Sequence, residues 1–317
     1  MNDIHILSIA GPTASGKSRL AVALATALEK EGGPCAEIVS CDSMQIYKGM
    51  DIGTGKVKKE EMAGVPHHLL DLFEPFAECS LADFSSLAHG AIEEVAARGH
   101  LPILCGGTGL YLDHILYDTV LSDAGEDPAV RAELEQYDND TLHDRLSRID
   151  PESAAAIHKN NRKRVIRALE IYLVSGKTKS HFDSISKSKK SRYRAKRIYL
   201  AAGDREGLYD RINRRVEGMF SEGLEEEVRL LFEKSPSKTA AQAIGYKEFL
   251  PYFAGECGIE DVMEQVKKAS RNYAKRQLTW FKKEAEGALL LDWAMPVEEQ
   301  LAVCLAFLKE EKAVNKL

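Results

Sequence analysis

The stretch "GPTASGKS", residues 11–18, constrains this chain more than any other. Gly11, Gly16, Lys17 and Ser18 satisfy G-x-x-x-x-G-K-[ST] at full spacing. A compact apolar run, "IHILSIA", feeds directly into it, and "KSRLAVALATALEK" follows with Leu20, Leu24 and Leu28 on one helical face. Strand, glycine-rich turn and helix in that order make a phosphate-binding loop. Its backbone N–H groups converge on phosphate oxygens at the helix N-terminus, Lys17 adds a point charge, and the Ser18 hydroxyl is placed to ligate Mg²⁺, the one cofactor the motif suggests. Gly11, Pro12, Thr13, Ala14, Ser15, Gly16, Lys17 and Ser18 are therefore expected around a phosphate ligand. The loop does not say whose phosphates these are, nor that they are transferred.

Further apolar runs predict the scaffold. "AEIVSC" (36–41), "HHLLDLF" (67–73), "LPILCGG" (101–107) and "RIYLAAG" (197–203) read as buried strands, with "ALLLDW" near residue 290 as a last one. "FSSLAHGAIEEVAARGH" reads as a helix closed by Gly99. Strands alternating with helices predict an α/β fold, a P-loop parallel sheet flanked by helices. Between residues 120 and 195 the pattern is helical only, in "DPAVRAELEQY", "TLHDRLSRI" and "NRKRVIRALEIYLVSG", and strand character resumes after it. The expected organisation is a catalytic core of 1–119 and 196–317, with the later part mostly helical, and an inserted all-helical domain at 120–195 acting as a lid or clamp.

Composition adds limits. The six cysteines are scattered, with no spacing suited to zinc, and no run of 18 apolar residues or basic leader is present. A cytoplasmic protein with no membrane partner is expected. The net charge of −6, from 43 basic and 49 acidic residues, argues weakly against a nucleic-acid partner. The distribution argues the other way: His158 to Arg197 holds fourteen Lys or Arg against Glu170 and Asp183. A second basic stretch, "KKASRNYAKRQLTWFKK" at 267–283, interleaves Tyr273, Trp280 and Phe281. A solvated helix face and a loop would account for either run alone, but two on an acidic protein point to polyanion surfaces.

A nucleotide kinase on this fold would place a Mg²⁺-holding acid at the end of a neighbouring strand. "LPILC" instead ends in "GGTGLY" with no carboxylate, leaving Asp71 and Asp204 as the acids other strands could offer. Asp42 follows the strand 36–41 in "CDSMQIYKGMDIGTGK", where a parallel sheet would aim it at the phosphate mouth. The alternative for Asp42 is an Asx-turn or helix cap. For His67 and His68, help in ordering the site and structural packing near the strand both stay open.

"GPTASGKS", "DSMQIYKGMDIGTGK", "HHLLD", "GGTGLY", "DREGLYDRINRRVEGM", "AIGYKE" and "YAKRQLTWF" occur in this order, from Gly11 to about Phe281. Together they resemble the tRNA dimethylallyltransferases, the bacterial tRNA isopentenyltransferase family; the zinc finger that eukaryotic members append is not expected here. The resemblance implies that the 11–18 loop and Arg215 hold the diphosphate of dimethylallyl diphosphate. The five-carbon group then moves to N6 of adenosine 37 beside the anticodon, and diphosphate leaves. It implies that Asp42 is the general base and that Thr108 is a second contact at the reacting centre. Taken alone, Thr108 reads as a turn residue and Arg215 as a surface arginine of an amphipathic helix.

For tRNA, the resemblance sets Asp42, Ser43, Met44, Gln45 and Thr108 against the target base. Lys163, Arg164, Val165, Ile166 and Arg167, then Gln242, Ala243, Ile244, Gly245, Tyr246 and Lys247, would meet the anticodon stem-loop, joined by Lys275, Arg276 and Gln277. A monomer is expected, its inserted helices clamping the RNA. Two rivals remain at this point: a P-loop small-molecule or nucleotide kinase, and a non-catalytic nucleotide-dependent RNA-binding protein.

Overall fold

The apolar run before the phosphate loop forms β1 (His5–Ala10), an inner strand of a parallel sheet in the computed structural model, which describes residues 4–117, 119, 125–188 and 191–314. Its companions are β2 (Ala36–Ser40), β3 (His67–His68), β4 (Leu101–Gly106), β5 (Arg194–Ala202) and β6 (Leu289–Asp292), in the order β3-β2-β4-β1-β5-β6. β1, β2 and β4 are buried along almost their whole length, which is why they read as continuous apolar runs and not as alternating patterns. Ala10 pairs with Gly106 and Ser40 with Cys105, so three neighbouring strands end side by side. The turns that follow them, carrying the phosphate loop, Asp42 and Thr108, therefore leave the sheet at one edge. This is where open parallel sheets bind ligands.

Helix α1 (Lys17–Lys30) begins at Gly16, whose φ of 88° lies in the left-handed region that favours glycine. It buries Leu20, Ala21 and Leu24 against Ile9, Ile38 and Ile103 of the sheet. Helix α2 (Leu81–Ala97) opens with a capping box: the Asp83 N–H donates to Ser80 Oγ at 3.1 Å, and the Ser80 N–H donates back to Asp83 Oδ2 at 3.0 Å. Helix α3 (Gly109–Tyr117) follows β4.

The strand expected over 67–73 is only two residues long. Leu69 (φ 64°) and Asp71 (φ 54°) adopt left-handed conformations that break the extended chain. His68 Nε2 lies 2.6 Å from Glu37 Oε2, and His67 Nδ1 lies 2.8 Å from the Val65 carbonyl oxygen. Arg98 and His100 also meet Glu37, His100 Nδ1 at 2.6 Å. Burial pushes the Glu37 carboxyl up, but hydrogen bonds with Arg98, His68 and His100 outweigh it and bring it down to about 2. His68 thus serves a structural cluster around Glu37 near the start of β2, while His67 holds the Val65 carbonyl just before its strand.

By contact the chain divides into Met1–Leu116 with Tyr193–Leu317, and Tyr117–Arg192. The second unit comprises α4 (Pro128–Leu134), α5 (Asn139–Ile149), α6 (Pro151–Ala156), α7 (Arg162–Ser175) and α8 (Lys179–Ser188). Leu134, Leu142, Leu146, Val165 and Leu169 form its core. Glu170 is buried in it, within 2.9 Å of Arg131 Nε and 2.6 Å of Arg167 Nη1. Burial raises its carboxyl pKa, but the hydrogen bonds from Arg131 and Arg167 prevail and hold it below the usual carboxylate range.

After β5 the first unit continues through α9 (Arg205–Ser221), α10 (Leu224–Glu233), α11 (Lys238–Ala241), a 3₁₀ turn (Lys247–Phe249), α12 (Leu250–Phe253), α13 (Ile259–Lys283) and α14 (Val297–Val314). The long α13 starts on Glu260 and Asp261 and ends on Lys282 and Lys283, matching its charges to the helix dipole. No helix among the described residues is long and apolar enough to cross a membrane, and all six cysteines are free thiols.

Candidate active site

A cavity of about 280 Å³ opens at the carboxyl edge of the sheet. Thr13, Lys17 and Ser18 of the loop border it, with Asp42 to Gln45 from the turn after β2. Opposite stand Arg215, Val216 and Met219 of α9, Gln242 to Ile244, and Val266, Tyr273 and Gln277 of α13. On α9, Ile212, Arg215, Val216 and Met219 are spaced three and four residues apart, so one helix face presents a cation beside an apolar wall.

Arg215 is half-buried, not on the surface. Its Nη1 donates to Thr13 Oγ1 at 3.1 Å and its Nη2 to the Thr54 carbonyl at 3.3 Å. Burial lowers its pKa and the charge of Asp42 opposes that. Lys17 is also lowered, first by burial and then by Arg215, while Cys105 and Asp42 act in the other direction. Two cations held close together at the price of their own charging energy form a site that an anion would relieve. Asp42 is the acidic side chain bordering the cavity. Its Oδ1 accepts the Met44 N–H at 3.0 Å, so the Asx-turn is real, and no described residue hydrogen-bonds to its Oδ2.

Gln277 ties the walls together: its Oε1 accepts the Thr13 N–H at 2.9 Å and its Nε2 donates to the Gly107 carbonyl at 2.8 Å. A Cβ at position 107 would collide with that amide, which gives Gly107 a steric reason to be glycine. Thr108 does not itself border the cavity. Its hydroxyl lies 3.3 Å from that of Tyr273, which does.

Residues 45–284 match the IPP transferase family profile, and residues 4–74 the isopentenyl transferase profile. A tRNA dimethylallyltransferase of Geobacillus thermodenitrificans is 50% identical over 284 residues, 88% of either chain. This chain belongs to the tRNA dimethylallyltransferase family. A member from Bacillus subtilis is 46% identical over 301 residues, 93% of each chain. Among solved structures, the tRNA isopentenylpyrophosphate transferase of Bacillus halodurans matches with a TM-score of 0.72 and 41% identity over 99% of both chains. A eukaryotic dimethylallyltransferase acting on tRNA matches at 0.75 and 30%, over 92% of this chain and 74% of that one.

Membership in the tRNA dimethylallyltransferase family removes the kinase alternative, and the acids that a kinase would have needed are otherwise engaged. Asp71 Oδ1 pairs with Lys56 Nζ at 2.6 Å, and Asp204 caps α9 by accepting the Gly207 N–H at 2.7 Å. Several residues expected at a ligand are committed elsewhere. Of the loop, Ser15 and Gly16 border a second depression, beside Arg19, Arg211 and Trp293, which leaves the Gly16 backbone N–H available to a phosphate. Val165 and Ile166 lie in the helical unit's core, so their side chains do not face RNA as expected. Tyr246 is buried and its hydroxyl donates to Glu227, so it does not face RNA as expected; Gln277 is buried and hydrogen-bonded internally while still bordering the cavity, and the Gly245 N–H donates to Glu248 Oε2 at 2.9 Å. Lys163, Arg164, Lys275 and Arg276 are exposed, and Lys247 is half-buried. The sequence reading missed the α9 wall of Val216 and Met219, and the strut role of Gln277. Helical spacing from Arg215 would have found the first. Nothing in "KRQLTW" signals the second.

Proposed function

We propose that this chain transfers the dimethylallyl group from dimethylallyl diphosphate to N6 of adenosine 37 in tRNA and releases diphosphate. The observation that carries the reading is one cavity bordered by an anion grip, an apolar wall and one carboxylate: Lys17, Ser18 and Arg215, then Val216 and Met219, then Asp42. In the reaction the allylic C–O bond breaks, the C–N6 bond forms, the electron pair of the broken bond leaves on diphosphate, and one N6 proton is lost. Negative charge grows on the leaving group, where the loop N–H groups, Lys17 and Arg215 stabilise it. The adenine amine is a poor nucleophile because its lone pair is delocalised into the ring. Asp42 accepts its proton, and the carboxylate oxygen not engaged by Met44 is the one suited to do so.

Mg²⁺ fits this donor set as a companion of the substrate. Such an ion keeps several waters and takes one or two protein oxygens together with phosphate oxygens. The Ser18 hydroxyl borders the cavity, and no cluster of three or more His, Cys, Asp or Glu among the described residues offers a protein-only cage. Bound there, the ion would neutralise diphosphate charge. Incubating the purified protein with dimethylallyl diphosphate and an anticodon stem-loop is expected to give N6-dimethylallyladenosine and an equal amount of pyrophosphate, read by nucleoside analysis. ATP consumption without a prenylated nucleoside would refute the reading.

The helical unit supplies cations for RNA. Lys163 and Arg164 are exposed in the first turn of α7, whereas Arg167 is tied to buried Glu170 and would unsettle the unit if replaced. Replacing Lys163 and Arg164 together with Gln is expected to weaken tRNA binding and to flatten its log–log salt dependence by roughly 0.7 to 0.9 per lost phosphate contact. Affinities over a salt series test this. Lines parallel to wild type would mean that neither side chain meets the backbone.

A further inference from the structure

The loop from Asp51 to Gly55 has no helix or strand to hold it, yet it supplies the carbonyl that receives Arg215. Its shape is imposed from α10. The Glu227 carboxylate accepts three consecutive backbone N–H groups, Asp51 at 2.9 Å and Ile52 at 2.7 Å on Oε2, and Gly53 at 2.9 Å on Oε1. Successive N–H groups converging on one anion form a nest, here filled by the protein's own side chain. The Tyr246 hydroxyl adds a fourth bond, donating to Oε1 at 2.6 Å. Burial, then the charge of Glu227, push the Tyr246 phenol well above its ordinary pKa, so it remains a donor.

Two glycines let the parts come this close. A Cβ at position 53 would lie 2.5 Å from the Tyr246 ring, and one at position 55, where φ is +59°, would collide with the Arg215 guanidinium. Thr54 sits between them. Its hydroxyl donates to the Met50 carbonyl at 2.7 Å, and its own carbonyl receives Arg215 Nη2. The other end of the loop is pinned by Lys56, whose ammonium donates to the Tyr47 carbonyl at 2.8 Å and to Asp51 and Asp71 at 2.6 Å.

We propose that Glu227 is a positioning residue for diphosphate binding: through the nest at 51–53 it sets the Thr54 carbonyl, and through that carbonyl it fixes the Arg215 guanidinium beside Thr13. Glu227 does not border the cavity. The proposal rests on the reading of Arg215 as a diphosphate ligand. An ordinary structural staple would show itself as lost stability alone, whereas a residue acting through Arg215 loses its effect once Arg215 is gone.

The test is a double-mutant cycle read by calorimetric binding of inorganic pyrophosphate, with wild type, Glu227→Gln, Arg215→Ala and the double variant. Gln keeps the length of the side chain but puts an NH₂ group where N–H donors point, so the nest cannot be fully satisfied. Glu227→Gln is expected to weaken pyrophosphate binding about tenfold in the wild-type background, the scale of one charge-assisted hydrogen bond, and less than about twofold in the Arg215→Ala background. Equal losses in both backgrounds, or no loss in either, overturn the proposal. If Glu227→Gln fails to fold, Tyr246→Phe replaces it in the same cycle under the same criteria, with a smaller expected loss. Pyrophosphate binding requires no transfer, so failure of the prenylation assay leaves the cycle readable. Conversely, additive losses in an active enzyme would leave the proposed reaction standing.

Discussion

Replacing Asp42 with Asn is expected to lower turnover by about 10² to 10⁴, the range that acid–base catalysis supplies. The substitution separates the turn that Asp42 forms from the proton transfer proposed for it. Asp42 Oδ1 accepts the Met44 N–H, and an Asn oxygen can keep that Asx-turn, so residues 42–45 should retain their path. What Asn lacks is the basicity to take the proton from N6. Asp42→Ala removes both functions and should match or exceed the Asn loss, with some cost in acceptor affinity if the turn orients the base. Single-turnover rates at saturating donor and tRNA, with thermal unfolding of each variant, separate the cases. Near-normal turnover in Asp42→Asn would leave Asp42 a turn residue and require another base.

The strand–loop–helix arrangement was legible because β1 and α1 are built from local signals: a short apolar run, a glycine with positive φ, and a helical leucine stripe. β2 and β4 were legible for the same reason, being buried on both faces. "HHLLDLF" misled because its apolar pattern is a strand's, while left-handed conformations at Leu69 and Asp71, supported by tertiary contacts of Asp71 with Lys56, end the strand early. Helix α6 is six residues long and α8 is a ten-residue segment rich in serine, so neither carries enough periodicity to stand out within the helical block. At the site, Asp42, Lys17 and Ser18 could be placed because they end strands or begin a helix at the sheet edge. Arg215, Gln277 and Glu227 come from the distant helices α9, α13 and α10. Their side chains reach the loops only through long-range packing, which no local pattern encodes.

Lys17→Ala is expected to lower kcat/KM for the donor by about 10² to 10³, the scale of losing one preorganised charge at a site of developing negative charge. Both kcat and KM should suffer, because in the proposed reaction the ammonium would meet the bound diphosphate and be needed more as the C–O bond lengthens. Lys17→Met makes a sharper companion, since it fills similar space without the charge. The lysine's pKa is lowered from its usual 10.5, chiefly by burial, so the folded protein binds a proton there less readily than the unfolded chain. That difference opposes folding fully below the lowered pKa and fades as pH rises toward 10.5. Without ligand, Lys17→Met should therefore melt above wild type at neutral pH, with the gap narrowing as pH rises toward that value. Pyrophosphate should reverse the order, because an anion beside Lys17 and Arg215 compensates the buried charge in wild type and finds one fewer cation in the variant. Melting curves with and without pyrophosphate at several pH values read both effects. If pyrophosphate stabilised the two proteins equally, Lys17 would not be a diphosphate ligand, and the loop's cation would have to act on some other group.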